Sequence, residues 1–144
     1  MYKAERNVGK EFSEHAFKPP VFIIDGSGKM LKNTLVNGYV MGEDGQMLTN
    51  QWVTFNQKWY YAQEDGKAVQ NAWKQLKGKW YMFHSDGTMY ANEFNWNYYH
   101  KASGEMADNE WIFDSYYNSW FYIKPGGIYA RNEWKDAYYL KSGG

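Results

Sequence analysis

"NQWVTFNQKWYYAQEDGKAV" at residues 50–69 and "NAWKQLKGKWYMFHSDGTMY" at residues 71–90 are two versions of one pattern. Each places a Trp two residues after an Asn, a second Trp seven residues later (Trp52 and Trp59, Trp73 and Trp80), and an Asp-Gly near the end. The polar stretches "FNQK" and "LKGK" separate two runs whose aromatic and β-branched residues alternate with period two, which favours strands over a helix. Asp-Gly closes each version with turn chemistry that tolerates positive φ. Each unit therefore reads as a β-hairpin, with Trp59 and Tyr61 on one face of their strand and Tyr60 on the other.

The same pattern continues in both directions. Downstream it recurs as "NEFNWNYYHKASGEMA" from Asn92, "NEWIFDSYYNSWFYIKPGGIYA" from Asn109 and "NEWKDAYYLKSGG" from Asn132. The leading aromatics fall at Trp52, Trp73, Phe94, Trp111 and Trp134, a repeat of about 20 residues of the kind that builds solenoids. Upstream, "NTLVNGYVMGEDGQML" from Asn33 and "VFIIDGSGKML" from Val21 are worn copies. The organisation expected is an N-terminal tail or cap at 1–20, degenerate repeats at 21–49 and a repeat module at 50–144. A lone two-stranded hairpin is marginal in water, so repeats this short must stack on their neighbours. The fold class is all-β, a solenoid of stacked β-hairpins.

Composition agrees. Leu, Ile, Val and Phe make up only 24 of 144 residues, while eight Trp and fourteen Tyr supply the missing apolar bulk, so the chain folds around rings. Sixteen Lys plus Arg balance sixteen Asp plus Glu, and a neutral chain lacks the basic footprint of a nucleic-acid binder. Cysteine is absent, which removes disulfides and thiolate metal sites. No run approaches the roughly 18 apolar residues of a membrane span, so no membrane insertion is expected, and the start lacks a signal-peptide core. If the protein is exported, its signal has been removed.

Most Tyr and Phe are expected in the core. The paired Trp ask for more, because an indole N–H needs a partner and a core that only required volume would use Leu or Ile. Ring faces converging on a small cavity bind a quaternary ammonium group by cation–π attraction, with choline as the obvious ligand.

The pattern "N-x-W … W-Y-Y … D-G-x-M" resembles the choline-binding, or cell-wall-binding, repeat family of Gram-positive cell surfaces and phage lysins. The resemblance implies a left-handed superhelix of hairpins that holds choline or phosphocholine of teichoic and lipoteichoic acids between successive repeats. It also implies an extracellular place on the bacterial surface. The family's cage takes two Trp from one repeat and an aromatic from the next, often with a Met. Carried over, one choline-binding cage joins Trp73 and Trp80 to Tyr99 with Met106, and a second joins Trp111 and Trp120 to Tyr139. A third uses Trp52 and Trp59, with Met82 at the position matching Tyr99 and Met89 alongside. The repeat at Asn92 departs from the pattern, with Phe94 and Asn97 at the two Trp positions, so a cage with Tyr122 is not expected. In the last repeat Ala137 replaces the second Trp, so that hairpin serves as wall and cap and could pair with a second copy as a homodimer.

No catalytic constellation emerges. In "HSDG" the adjacent His84, Ser85 and Asp86 fall on a repeat turn, where adjacency does not make a triad. "DGSGK" at 25–29 lacks the spacing of a phosphate loop. His15, His84 and His100 show no metal-ligand spacing. Glu93, Glu110 and Glu133 recur in register with the repeat, which marks structure more than an acid–base pair. The expectation is a non-catalytic chain with no cofactor and no metal. Two further readings stay open: a glucan or carbohydrate-binding repeat domain that stacks sugars on the rings, and an adhesin that grips a host protein through its degenerate repeats.

Overall fold

The computed structural model describes residues 21–144; the tail or cap expected at 1–20 lies outside them. The described residues are all-β, with twelve short strands paired as six antiparallel hairpins in tandem. Three hairpins have five-residue strands: β3 (Gln51–Phe55) with β4 (Lys58–Ala62), β5 (Ala72–Leu76) with β6 (Lys79–Phe83), and β9 (Glu110–Asp114) with β10 (Ser119–Ile123). The other three have three-residue strands: β1 (Thr34–Val36) with β2 (Tyr39–Met41), β7 (Glu93–Asn95) with β8 (Tyr98–His100), and β11 (Glu133–Lys135) with β12 (Tyr138–Leu140).

The leading Asn of each repeat has a backbone reason. Asn33, Asn50, Asn71, Asn92, Asn109 and Asn132 all adopt φ between 49° and 55°, the left-handed region that Asn tolerates better than other side-chain-bearing residues. In that conformation the amide N–H turns back to close the hairpin base, as from Asn71 to the His84 carbonyl at 3.0 Å and from Asn109 to the Lys124 carbonyl at 3.4 Å. Two residues later the first aromatic enters the ladder opposite its partner: Trp52 faces Tyr61, Trp73 faces Met82, and Trp111 faces Tyr122.

Beyond each hairpin the chain bends through its Gly turn and bridges back. The bridges Met41 to Met47, Ala62 to Ala68, Phe83 to Met89, His100 to Met106 and Ile123 to Tyr129 all span six residues. The turn Gly is required because the Met of the preceding repeat lies on it. A Cβ on Gly66 would sit 2.7 Å from Met47 Sδ, and one on Gly127 would sit 2.8 Å from Met106 Cε. These contacts, with the inter-repeat bond from Met106 N–H to the Trp80 carbonyl at 2.9 Å, supply the stacking that an isolated hairpin lacks.

The chain divides into two compact units, one running through Gln70 with Ser85–Thr88, the other comprising Asn71–His84 with Met89–Gly144. The first unit buries Val21, Ile23, Tyr39, Met41 and Met47 in one cluster, and Val40, Val53, Ala62 and Ala68 in a second. Here the worn repeat at Asn33 forms a hairpin of the same build, turning through Asn37 and Gly38 at φ 51° and 86°. The second unit packs Tyr99, Ala107 and Ile123 in one cluster, and Tyr122, Ala130 and Leu140 in another.

The recurring Glu residues have a structural task. Glu93, Glu110 and Glu133 each accept the backbone N–H two residues earlier and pair with a residue nine earlier: His84 at 3.2 Å, Lys101 at 3.3 Å and Lys124 at 3.1 Å. These pairs are partly exposed, so each is worth at most about 1 kcal/mol.

Candidate functional site

In the β5–β6 hairpin, Trp73 faces Met82 and Gln75 faces Trp80, so strand alternation puts both indoles on one face, diagonal to each other. Their rings meet edge to face at 6.1 Å and 86°. The next hairpin brings Tyr98 to 5.4 Å from Trp73, again edge to face. Met106, fixed by its backbone bond to Trp80, and Gly126 complete a cavity of about 390 Å³. His100 stands beside Trp73 at 5.2 Å and is fully buried, with Nδ1 2.9 Å from the Gly104 carbonyl and Nε2 without a partner among the described residues. Burial pushes this imidazole below the usual histidine range, against the opposing pull of the Gly104 carbonyl and Glu93.

A second cavity, of about 430 Å³, repeats the arrangement with Trp111, Trp120 and Tyr138. Phe113 faces Trp120 across the ladder at 5.4 Å, and Tyr138 lies 5.5 Å from Trp111. The "DSYYNS" turn is two residues longer than its counterparts, yet Trp120 keeps the ladder position of Trp80. Among the described residues neither cavity is lined by a charged side chain. Each presents several ring faces, whose negative quadrupoles suit a cation that makes no hydrogen bonds.

The third wall differs from the sequence reading in both places. Tyr99 does not line the first cavity. It is 3% exposed, packs at 4.8 Å on Phe94, and donates its hydroxyl to Asp114 at 3.0 Å. Burial, then the Asp114 bond and charge, push its phenol up to about 12. Tyr139 likewise turns away, toward Trp134 at 5.2 Å, and leaves the wall to Tyr138. The reason is parity: the residue opposite the first aromatic shares that aromatic's face, so its strand neighbours point back at the preceding hairpin, as Tyr98 and His100 both do toward Trp73.

Trp52 and Trp59 form the same diagonal pair within the first unit, at 6.4 Å and 84°, with Tyr61 at 5.3 Å from Trp52. Met82, which the sequence reading set as their wall, lies in the second unit on the face of Trp73 and Trp80. Met89 packs over Gly104 within that unit. At the irregular repeat, Phe94 contacts Phe121 at 4.9 Å and Tyr117 at 6.0 Å; Tyr117 comes from the long turn of the next hairpin and was not anticipated. Tyr122 instead packs on Trp111 and carries the Lys135 ammonium 4.6 Å from its ring centre.

The motifs weighed for catalysis are local turns. Asp86 accepts both the Thr88 N–H and its hydroxyl, while His84 stacks on Tyr90 at 3.7 Å. Asp25 accepts from Ser27 and from the Lys29 N–H. Among the described residues no three His, Asp or Glu converge as a metal site.

Comparison with known proteins places this geometry. Choline binding protein F of Streptococcus pneumoniae is 32% identical, covers 87% of this chain and superposes with a TM-score of 0.65. The chain belongs to the choline-binding repeat family. The modular autolysin LytC of the same organism is 28% identical over 85% of this chain, with a TM-score of 0.62. Among curated proteins, an S. pneumoniae protein described as a putative endo-beta-N-acetylglucosaminidase is 48% identical over 30% of this chain. The chain spans 43% of choline binding protein F, 34% of LytC and 7% of the glucosaminidase. No family model matches. As a choline-binding repeat chain, its all-β tandem hairpins and aromatic clusters are those of a cell-wall-binding module.

Proposed function

We propose that the chain is a non-catalytic anchor that holds choline or phosphocholine of teichoic and lipoteichoic acids in its aromatic cavities, on the outer surface of the bacterium. The observation that carries this reading is the repeated grouping of two Trp and one Tyr around an uncharged cavity: Trp73, Trp80 and Tyr98 with Met106, then Trp111, Trp120 and Tyr138. A trimethylammonium head has no N–H to satisfy, so ring faces alone can hold it.

Three ring contacts at about 0.5 to 2 kcal/mol each, with some apolar burial, give a site of about −4 kcal/mol, on the order of millimolar. Two such sites facing a polymer that bears many cholines gain avidity of about 10² to 10⁴. Weak sites therefore suffice for firm attachment.

The test is a thermal melt with choline chloride, against sodium chloride at matched ionic strength and against glucose. At about 100 times Kd each independent site stabilises the chain by about 2.7 kcal/mol. A rise in Tm with choline alone is expected. No rise, or an equal rise with glucose, returns the Trp pairs to core packing or sugar stacking.

A further inference from the structure

A third cavity in the second unit differs chemically from the two Trp cages. It encloses about 300 Å³ between the β7–β8 and β9–β10 hairpins and is lined by Asn92, Glu93, Phe94, Asp114, Tyr116 and Tyr117. Its walls are aromatic, with Phe94 and Tyr117 at 6.0 Å and Tyr116 and Tyr117 edge to face at 5.0 Å. Unlike the cages, it also carries two carboxylates.

Asp114 is the informative one. It ends strand β9 at the position where the two sibling hairpins place Phe55 and Leu76, and in this longer turn it accepts the Tyr117 N–H, a bond that needs an acceptor but not a charge. It is 3% exposed, and its donors are neutral: the Tyr99 hydroxyl on Oδ1 at 3.0 Å and the Tyr117 N–H on Oδ2 at 2.9 Å. The two bonds take one oxygen each, both from uncharged donors, so neither supplies a countercharge. Among the described residues Asp114 makes no ion pair. A buried carboxylate without a countercharge is costly, and each of its oxygens retains accepting capacity. Glu93, half-exposed, adds a second carboxylate that is only partly engaged by His84 and the Ala91 N–H.

We propose that this cavity binds a hydrogen-bonding cation, the primary ammonium or guanidinium head of a Lys or Arg side chain presented by a polypeptide. A quaternary ammonium would strip water from two carboxylates and return no hydrogen bond. An ammonium brings three N–H donors and a guanidinium five, each strengthened by the opposite charge, while the Phe94, Tyr116 and Tyr117 rings pack around the alkyl stem and the cation. The chain thus carries two cation chemistries: N–H-free heads in the Trp cages and N–H-bearing heads beside Asp114.

The test is a nuclear magnetic resonance titration of the ¹⁵N-labelled chain with n-butylammonium, ethylguanidinium and choline, at ionic strength held constant with sodium chloride. The Tyr117 amide reports the cavity, because it donates to Asp114; the Trp80 and Trp120 indoles report the cages. Butylammonium and ethylguanidinium are expected to move Tyr117 and leave the indoles, and choline to do the reverse. Asp114→Asn should weaken the amine response about tenfold or more. Tyr116→Ala removes an exposed ring outside the core and should weaken it several-fold with an unchanged Tm. Choline moving Tyr117 at the concentrations that move the indoles, no amine response at Tyr117, or an undiminished response in Tyr116→Ala would overturn the assignment.

Discussion

Tyr98 and Tyr99 are adjacent, chemically identical, and assigned opposite tasks by the strand on which they sit. Removing Tyr98 as Tyr98→Ala takes one ring from the first cage. At about 0.5 to 2 kcal/mol per ring the choline constant should weaken by about 2- to 30-fold. Stability should change little, because Tyr98 stands on the cage face outside the buried clusters. Tyr99→Phe keeps the ring in the core but removes its hydrogen bond to the buried Asp114. A bond to a charged acceptor contributes about 1.5 to 3 kcal/mol, so this variant should melt earlier while its choline constant stays unchanged. The assay is a choline titration followed at the Trp80 indole, which isolates the first cage from the second, paired with a melt of each variant. Loss of choline affinity in Tyr99→Phe with none in Tyr98→Ala would refute the parity argument and reassign the wall to the buried face.

Gly127→Ala should disturb the same cage from the opposite side. Its Cβ would lie 2.8 Å from Met106 Cε and 3.0 Å from Tyr98 Cδ1, at φ 98°. About 1 to 2 kcal/mol of stability should be lost through the backbone alone, with choline affinity reduced at Trp80 and unchanged at Trp120; equal losses at both indoles would contradict the separation of the cages. His100 should make stability acid-sensitive. Its folded-state affinity for a proton is depressed by burial, so the unfolded chain takes up a proton first. The contribution is full above the unfolded value of about 6.5 and is lost as pH falls below it. Melts from about pH 7.5 to pH 5 should show a fall in Tm that His100→Gln reduces; an identical fall in both proteins would remove His100 as its source.

Hairpins are local objects, which is why the fold was legible. The Trp spacing, the period-two aromatics and Asp-Gly all act within about twenty residues, and the all-β tandem architecture follows from them. The Trp pairs that enter the cages were legible for the same reason, since Trp73 and Trp80 belong to one hairpin. The third wall was not, because it depends on which face of the next hairpin looks back. In "YY" at 98–99 composition cannot separate the two residues, and only strand register does. The leading Asn served as an alignment mark before its left-handed backbone explained it. Asp114 was hidden differently: "DSYYNS" reads as an ordinary polar turn, and the burial of its first residue arises from packing against Tyr99, fifteen residues away.

The extended turn of β9–β10 has a consequence for variation. Its two additional residues leave Trp111 and Trp120 in the ladder positions of Trp73 and Trp80, because the register is counted from the Asn-closed base and not from the tip. A hairpin tip can thereby lengthen while the Trp pair in the ladder keeps its spacing. A foreign peptide loop inserted between Ser115 and Asn118 would disrupt the Tyr116 and Tyr117 walls of the third cavity while leaving Trp111 and Trp120 in their ladder positions. Each of the three hairpins with five-residue strands is, in that sense, a constant ladder carrying a variable tip.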